Sequence, residues 1–486
     1  QSSSLYGNLV VTRISSQINF FENGVPLFTT ENTQQNEEVV HYAMAQRSSP
    51  KRVLLVSGGV SGVLNEILKY GVGMVDYVEL DPLLLDLGRR YSPNSGIEST
   101  LVHSYSIDGR MFIKEKAAGG VGYDVVILNV PDPGNLQTSR FYSIESFREI
   151  KKILGDDGVL SLSMSSSENY LNPETKKLNS CIYNTLGEVF KNVVVIPGGR
   201  NYFIASDGNL TYNIVGAIEE RGVNTSYVNR YYLSGMLTDE RVKYTLDSLT
   251  GEKDVKVNQD FRPASYYYYL QYWTDHFRIN LSHVILLLLV LFLALLIKLR
   301  PITLSMFTVG FAGASLEIVL IMAFQVLYGY AYYKIGAIVT AFMFGLFIGA
   351  VYATKKLAGL QKADLSKIVS CVALYSIILP SALHGLSSLS GWMSSISNQL
   401  FFPLATVVLG FMVGLLFPLA NKMQKPESTQ EAMGLLYSLD LFGAFFGSLL
   451  TSIFLIPVYG IINVSLAVGL INLAVWLRLQ VAGKND

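Results

Sequence analysis

Residues 51–71 read KRVLLVSGGVSGVLNEILKYG, and the fold follows from them. An apolar run of strand length ends at Val56 and is followed by a turn carrying Gly58, Gly59 and Gly62. Apolar residues at helical spacing come next, so the stretch is strand, glycine turn, helix. Glycines allow a tight turn and close backbone approach to a ligand, and a helix N-terminus beyond them favours anionic or polar groups. Such a turn alone is a weak signal. Its context strengthens it. A second strand, MVDYVELD (74–81), brings Glu79 to its end, seventeen residues after Gly62. An acid there is placed to hold two ribose hydroxyls. A third unit closes at YSIDGRMFI (105–113), with Asp108 and Gly109 at the turn and Asp108 placed to accept from an adenine amino group. The bland alternative for both acids is a solvated strand end; the glycine turn in register favours the ligand. DVVILN (124–129), SIESFREIKKIL (143–154) and GVLSLSM (158–164) continue the alternation. Alternating strands and helices predict a mainly parallel, doubly wound α/β sheet. Upstream, residues 4–30 alternate apolar and polar residues around a turn at ENG and predict antiparallel strands, with a helix over 36–47.

At the end of the fourth core strand, ILNVPDPGN (127–135) places Asn129 where a catalytic carboxylate is often found, and Asp132 three residues later.

From about residue 281 the composition changes. Seven apolar runs of spanning length occur at 281–299, 302–327, 335–353, 367–387, 399–418, 434–457 and 460–477. A span needs about 20 residues, so these predict an α-helical transmembrane bundle of about seven helices. Loop charges orient it. Lys298, Arg300, Lys355, Lys356, Lys362, Lys367, Lys422, Lys425, Arg478 and Lys484 fall on one side, and only Lys334 on the other. The positive-inside rule makes the charged side cytoplasmic and puts residues 1–280 outside. The expected location is the cell (cytoplasmic) membrane. The small-xxx-small pairs Gly345/Gly349, Gly410/Gly414 and Gly443/Gly447 predict close helix packing. SYYYYLQYW (265–273) suits an aromatic belt in the headgroup layer. Glu317 and Asp440 lie inside apolar runs, where acids are expensive and face the bundle interior, either on a proton or cation path or as interhelical hydrogen-bonding contacts.

The 486 residues have zero formal net charge, so charge gives no argument for a nucleic-acid partner. Two cysteines, Cys181 in the first part and Cys371 in an apolar run, predict no structural disulfide. No metal site is expected. A chain opening on Gln1 reads as a processed or partial product.

These residues resemble the spermidine synthase (aminopropyltransferase) family, and the whole chain looks like the membrane-fused spermidine synthase-like proteins. The resemblance is carried by VSGGVSG, VDYVELDP, the DG at 108–109, NVPDP and RFYSIESFREIKKIL, with SSSENYL, NYFIAS and FRPASYYYYLQYW. LEIVLIMAFQ and LYSLDLFGAFFGSLL extend it into the membrane part. It implies an N-terminal β-hairpin subdomain at 1–48, a methyltransferase-like Rossmann domain at 49–262, an aromatic juxtamembrane segment at 263–280 and a membrane domain at 281–486. It also implies transfer of an aminopropyl group from decarboxylated S-adenosylmethionine to a diamine, with S-adenosylmethionine or methylthioadenosine as related occupants. A protonated amine is no nucleophile, so such a reaction needs a positioned base.

Against the family pattern, the nucleotide side (Gly58, Gly59, Gly62, Glu79, Asp108, Gly109) is kept and the amine side is altered. The acid expected in the glycine turn falls on Val60. The base falls on Asn129, and its companion acid is Asp132, the remaining catalytic candidate. The upstream family pattern, Asp-Gly-x-x-Gln, then Asp-Glu, then Tyr-Gln-Glu, falls on Asn23, Leu27, Asn32, Thr33, Asn36, Glu37 and Glu38, so the glutamine and the acid pair are gone and Glu38 is the match. An amide is no base near neutral pH. Three functions follow as expectations: a membrane-anchored transferase, a catalytically silent structural, accessory or sensor subunit, and, least supported, a polyamine or proton transporter. The expected partners are the lipid bilayer and either other membrane proteins or further copies of the chain.

Overall fold

The computed structural model describes residues 1–482 except 93–94, 121, 169, 253, 277–280, 330–331, 357–358, 360–361, 388, 390 and 424–428. Lys425 and Lys484 of the charge argument and the end of the aromatic segment lie outside the described residues. The chain divides into two compact units, one of residues 1–260 and 264–273, the other of 261–263 and 274–486.

The first unit opens with four strands, β1 (Ser2–Ser3), β2 (Asn8–Ile14), β3 (Gln17–Glu22) and β4 (Val25–Thr29), paired in that order as an antiparallel sheet. The expected hairpin is therefore part of a four-stranded sheet. Asn23 and Gly24, both with left-handed φ, make the tight β3–β4 turn. The helix α1 (Thr33–Met44) follows.

The core sheet then alternates with helices: β5 (Arg52–Val56), α2 (Val63–Leu68), β6 (Met74–Glu79), α3 (Pro82–Tyr91), β7 (Val102–Ser106), α4 (Gly109–Gly119), β8 (Tyr123–Leu128), α5 (Leu136–Ser139), α6 (Ile144–Ile153) and β9 (Leu154–Ser165). α7 (Pro173–Gly187), β10 (Asn192–Ile196), β11 (Arg200–Ser206), α8 (Ile214–Glu220), α9 (Arg230–Met236), α10 (Asp239–Thr250) and residues 264–273 of α11 (Ala264–His276) complete the unit. The strand order is β10-β11-β9-β8-β5-β6-β7, with β7, β6, β5, β8 and β9 parallel and the last two antiparallel. The order reverses between β5 and β8. At such a switch point the connections leave in opposite directions and open a crevice beyond the strand ends.

Both faces of the sheet are covered, which explains why β5 is apolar at successive positions. Val53 and Leu55 pack with Val75, Tyr77 and the α1–α3 side, whereas Leu54 and Val56 pack with Phe112, Phe147 and Ile150 on the other. Helix starts are set locally. Asp81 caps α3 by accepting from Leu83 N, with Pro82 at the first helical position, and Ser143 caps α6.

The aromatic segment is anchored on the protein at its start. Residues 264–273 belong to the first unit. Ala264 and Tyr268 are buried in its core, and the buried Ser265 hydroxyl bonds Ser139 at 2.8 Å.

The second unit is helical: α12 (Leu281–Lys298), α13 (Pro301–Tyr328), α14 (Tyr332–Lys355), α15 (Lys362–Ser387), α16 (Gly391–Lys422), α17 (Thr429–Leu450) and α18 (Ile456–Ala482). Among the described residues five helices are long and apolar enough to cross a membrane, so the unit reads as that of an integral membrane protein. The expected count of seven is not reached for two reasons. The apolar part of α12 is a short helix, Ile285–Lys298, and the last two runs are counted together as Met433–Ala482 although the non-helical Gly460 divides them. That stretch passes through a π-helical turn at Thr451–Leu455 and a non-helical Gly460.

The glycine pairs do what their spacing implies. Gly345 and Gly349 lie against the backbone of residues 407–415, and Gly410 and Gly414 against that of 342–346, so α14 and α16 are parallel and in backbone contact. Gly443 and Gly447 pack on Phe307, Phe311 and Ser315 in the same parallel sense between α17 and α13. Asp440 is half-buried in that second seam, and a Cβ on Gly310 would lie 2.7 Å from its Oδ1. Glu317 is half-buried one face-repeat further along α13.

Candidate functional site

The glycine turn leaves β5 through Ser57 and Gly58, both with left-handed φ (66° and 75°), and enters α2 through Gly62 at 113°. A non-glycine residue in that region stores strain, and such residues cluster at functional turns. Ser57 is held there by its N–H, which donates to Val78 O at 2.9 Å. The space beside each glycine is filled by the protein itself. A Cβ on Gly58 would strike the Asn129 amide, one on Gly59 the Tyr77 ring, and one on Gly62 the Asn36 amide. Asn36 in turn donates to Ser61 O at 2.8 Å and accepts from the Ser61 hydroxyl at 2.9 Å. The turn is thus pinned from α1.

Glu79, at the end of β6, folds back onto this turn. Its Oε2 accepts from the Ser57 hydroxyl (3.3 Å), Gly58 N (3.3 Å) and the Tyr77 hydroxyl (2.9 Å), and its Oε1 from Leu80 N (3.1 Å). Burial pushes its carboxyl above the usual range, while these donors pull it back. Oε1 keeps an accepting position for a further hydroxyl. Asp108 caps α4 through Arg110 N and Met111 N, both at 3.1 Å, and pairs with Arg140 through its other oxygen. Gly109 allows α4 to lie close to Val56 and Phe141.

A group of acids stands near Glu79. Glu22 of β3 has its carboxyl raised by burial first, then by Asp81 and Glu79. Asp81 is satisfied by the Ser4 hydroxyl at 2.6 Å. A carboxyl whose folded pKa is raised contributes stability below its unfolded pKa and loses it as pH rises through the folded one. Glu22→Gln is therefore expected to melt higher than the parent at pH 7.5. The gap should close below the ordinary glutamate pKa of about 4.3. Equal melting temperatures at both pH values would refute this.

Across the switch point, Asn129 donates its N–H to Val56 O at 3.0 Å and lines a narrow cleft with Val39, Ser161, Ser163 and Tyr202. Asp132 is bound to Arg200, whose Nη2 lies 2.6 Å from its Oδ1, and accepts from Ser165 N at 3.3 Å. Burial alone would lower the Arg200 guanidinium, but the charge and hydrogen bond of Asp132 outweigh it, and its pKa is raised. The Tyr142 hydroxyl fixes the loop before Asp132 by donating to the carbonyls of Val130 and Pro131, both at 3.0 Å.

Val60 is fully buried in the core, against α3, where a Cβ on Gly88 would collide with it. Glu37 is buried and accepts three backbone N–H groups, from Ser226 (2.6 Å), Tyr227 (2.7 Å) and Val228 (2.8 Å). Glu38 accepts from the hydroxyls of Tyr232 (2.6 Å) and Tyr202 (3.0 Å) and from Gln34 (3.1 Å).

One cluster has metal-ligand composition. Glu37, His41 and Glu66 bring one ligand atom each within 4.8 Å of the others. Each is already bonded: Glu37 by the three amides, His41 by Tyr70 (2.8 Å) and Glu66 (3.0 Å), and Glu66 also by Lys69 (2.6 Å). The set fits a buried hydrogen-bond chain between α1 and α2 rather than an ion site.

The structure thus bonds Gly58 to Glu79, packs Asn129 against Gly58 and sets Asp132 beside Arg200, while Asp108 serves a separate pair with Arg140. Sequence reasoning missed Ser57, Tyr77, Arg140, Arg200 and Tyr202. Only the Gly-Gly-Arg run opening β11 offered a signal, because a lone arginine at a strand start has no fixed meaning until its neighbours are known.

With this geometry in place, the chain can be compared with known proteins. Residues 32–205 match the spermine/spermidine synthase domain. It is 32% identical over 137 residues to a polyamine aminopropyltransferase of Pyrobaculum calidifontis, covering 27% of this chain and 47% of that one. It is 34% identical over 163 residues to a spermine synthase of Saccharomyces cerevisiae, covering 32% of this chain and 52% of that one. A polyamine aminopropyltransferase of Korarchaeum cryptofilum is 25% identical over 262 residues, 51% of this chain and 78% of that one. The chain spans about half the length of the first curated relatives it matches (47% and 48%). Among solved structures it is similar to spermidine synthase in complex with the transition-state analogue AdoDATO, with TM-score 0.44 and 21% identity over 50% of this chain and 86% of that one.

Proposed function

We propose that the first unit binds an adenosyl nucleoside at the β5–β6 side of the switch point and that its amine side no longer supports efficient aminopropyl transfer. The observation that carries this is Glu79. It is a buried acid tied to the glycine turn by two donors and to Leu80 N by a third, with one Oε1 position left for a ribose hydroxyl. Decarboxylated S-adenosylmethionine, S-adenosylmethionine and methylthioadenosine share that ribose. Asp108 is the further candidate, at the adenine end.

The chemistry then turns on the base. Asn129 has none to offer. Asp132 is the only acid of the NVPDP segment, and its Oδ1 faces a guanidinium. Loss of a general base typically costs about 10²–10⁴-fold in rate. This favours a nucleoside-reading accessory or sensor role over rapid turnover. Isothermal titration of the full chain in detergent with methylthioadenosine tests the pocket. Glu79→Gln should weaken that binding about tenfold or more, since hydrogen bonds to charged groups contribute roughly 1.5–3 kcal/mol. Aminopropyl transfer at ordinary family rates, lost in Asp132→Ala, would instead establish an active enzyme.

The membrane side of the proposal is an integral protein of the cell membrane with the first unit outside the cytoplasm. It rests on the loop charges, with Lys334 alone on the far side. Protease cleavage of the first unit in intact cells supports it, and protection reverses the orientation. Association with other membrane proteins or with further copies is part of the accessory reading and is tested by sizing in mild detergent. Transport through Glu317 and Asp440 is the weaker reading; unchanged polyamine flux in liposomes bearing Glu317→Gln would dismiss it.

A further inference from the structure

We propose that Arg200 is a specificity-determining, anion-recognising residue of the strand-end cleft, and that the ligand it admits there presents a carboxylate rather than an ammonium chain. This rests on the nucleoside-pocket reading above and extends it to the other half of the ligand.

Four features support it. The first is exposure. In the Asp132–Arg200 pair the arginine side chain is 28% exposed and the aspartate 10%. A molecule arriving at this point meets the cation, with the acid behind it.

The second is the donor inventory. A guanidinium has five N–H groups. Nε donates to the Ser163 hydroxyl (3.0 Å), Nη1 to the Ser165 hydroxyl (3.2 Å), and Nη2 to Asp132 (2.6 Å) and the Ser163 carbonyl (3.3 Å). Among the described residues one Nη1 N–H is left over. A fork held rigid by four bonds is pre-organised for a further oxygen anion.

The third is location. Ser163 lines the same cleft as Asn129, Ser161 and Tyr202, and it is the residue that holds the guanidinium. Gly58 lies on the other side of the Asn129 amide. The cation is therefore joined through Ser163 to the strand-end residues that include Asn129.

The fourth is the state of the acids. A polyamine needs free carboxylates. The cleft lining contains none. Glu38 is occupied by two tyrosine hydroxyls and an amide, and Asp132 by Arg200. An ammonium brought beside Arg200 would meet a like charge in a partly desolvated site.

The carboxylate has two possible sources: the amino-acid end of S-adenosylmethionine itself, or a separate carboxylate acceptor bound beside the nucleoside. The experiment separates them. The full chain in detergent is titrated calorimetrically with S-adenosylmethionine, its decarboxylated form and methylthioadenosine. Protein saturated with methylthioadenosine is then titrated with succinate or spermidine.

The expected result takes one of two forms. S-adenosylmethionine binds at least about tenfold tighter than its decarboxylated form, or succinate binds the loaded protein and spermidine does not. In Arg200→Leu the affinity ratio of the carboxylate ligand to methylthioadenosine falls about ten- to a hundredfold, the size expected for one charge-assisted hydrogen bond. Arg200→Lys keeps the charge and recovers part of the ratio. A purely structural clamp on Asp132 would alter stability in these variants and leave the ratio unchanged, which overturns the inference. Preference for the decarboxylated form, or spermidine binding to the loaded protein, also overturns it, and the wild-type titrations alone can show either. Absence of methylthioadenosine binding overturns the pocket reading itself and this inference with it.

Discussion

Gly410→Ala is expected to lower the melting temperature of the protein in detergent sharply, and Gly410→Leu to prevent recovery of a folded membrane unit. Glycine to alanine inside a helix ordinarily stabilises by about 1 kcal/mol, because alanine loses less backbone entropy. Here the sign reverses. A Cβ at Gly410 falls inside contact distance of the Phe342 carbonyl oxygen and 3.1 Å from Leu346 N, atoms of the facing helix backbone. Backbone cannot rotate away as a side chain can, so α14 and α16 must separate along the seam of four glycines. Overpacking costs about 1–3 kcal/mol even in cores that can adjust, so the clash outweighs the propensity gain. Gly434→Ala on α17 is the control: among the described residues nothing lies within 4 Å of its Cβ position. It should melt at or slightly above the parent. If Gly410→Ala and Gly434→Ala melt alike, the parallel backbone contact is not what holds this seam.

Glu37→Ala should destabilise the first unit by about 4 kcal/mol. Three buried backbone N–H groups, those of Ser226, Tyr227 and Val228, would lose their acceptor together. Each unmet buried donor costs about 1–3 kcal/mol, reduced where water can enter. A domain is stable by only about 5–15 kcal/mol, so the loss is a large share. Glu37→Gln keeps one oxygen for two of the three donors but turns an amide N–H₂ toward the third, so an intermediate effect is expected. Limited proteolysis between residues 222 and 230 should accelerate with the drop in melting temperature, because Glu37 is the group that ties this segment to α1. A melting temperature within about 1 °C of the parent for Glu37→Ala would mean that the segment finds other acceptors.

Glu37 also shows where the sequence is hard to read. Aligned with the family it counts as an altered position on the amine side, and by position alone its role is open. Its contacts make it a backbone anchor for a segment 189 residues away. Val60 is a similar case. As a lost acid it describes chemistry; in the fold its side chain fills the contact with α3. The differences from the family pattern at Asn129, Val60 and Glu37 were legible in the sequence. What each of these residues touches was not, because burial and hydrogen-bond partners come from distant segments. The aromatic run 265–273 is a further case. Tyrosines before an apolar helix suit a membrane interface, but Ala264, Ser265 and Tyr268 are buried in the first unit. Composition cannot distinguish an aromatic helix packed on protein from one set in headgroups.

Local chemistry determined a good deal by itself. The strand–glycine–helix stretch at 51–71, the period-two and helical patterns that follow it and the apolar runs after 281 specify an alternating α/β unit and a membrane-type helical unit. The reason is that strand, turn and helix signals are short-range. The acid at a strand end and the spacing of the glycine pairs are likewise readable, because each depends on residues a few positions apart. The tertiary structure alone decided the rest. It showed where the last two apolar runs part, at Gly460, whose φ of 84° and ψ of 163° are non-helical. It paired α14 with α16 and α13 with α17 in parallel. It placed Arg200, 68 residues further along the chain, against Asp132 and so gave the acid of the strand-end motif an ion-pair partner. A carboxylate's chemistry is fixed by the charge that faces it, and in this protein that charge arrives from another strand.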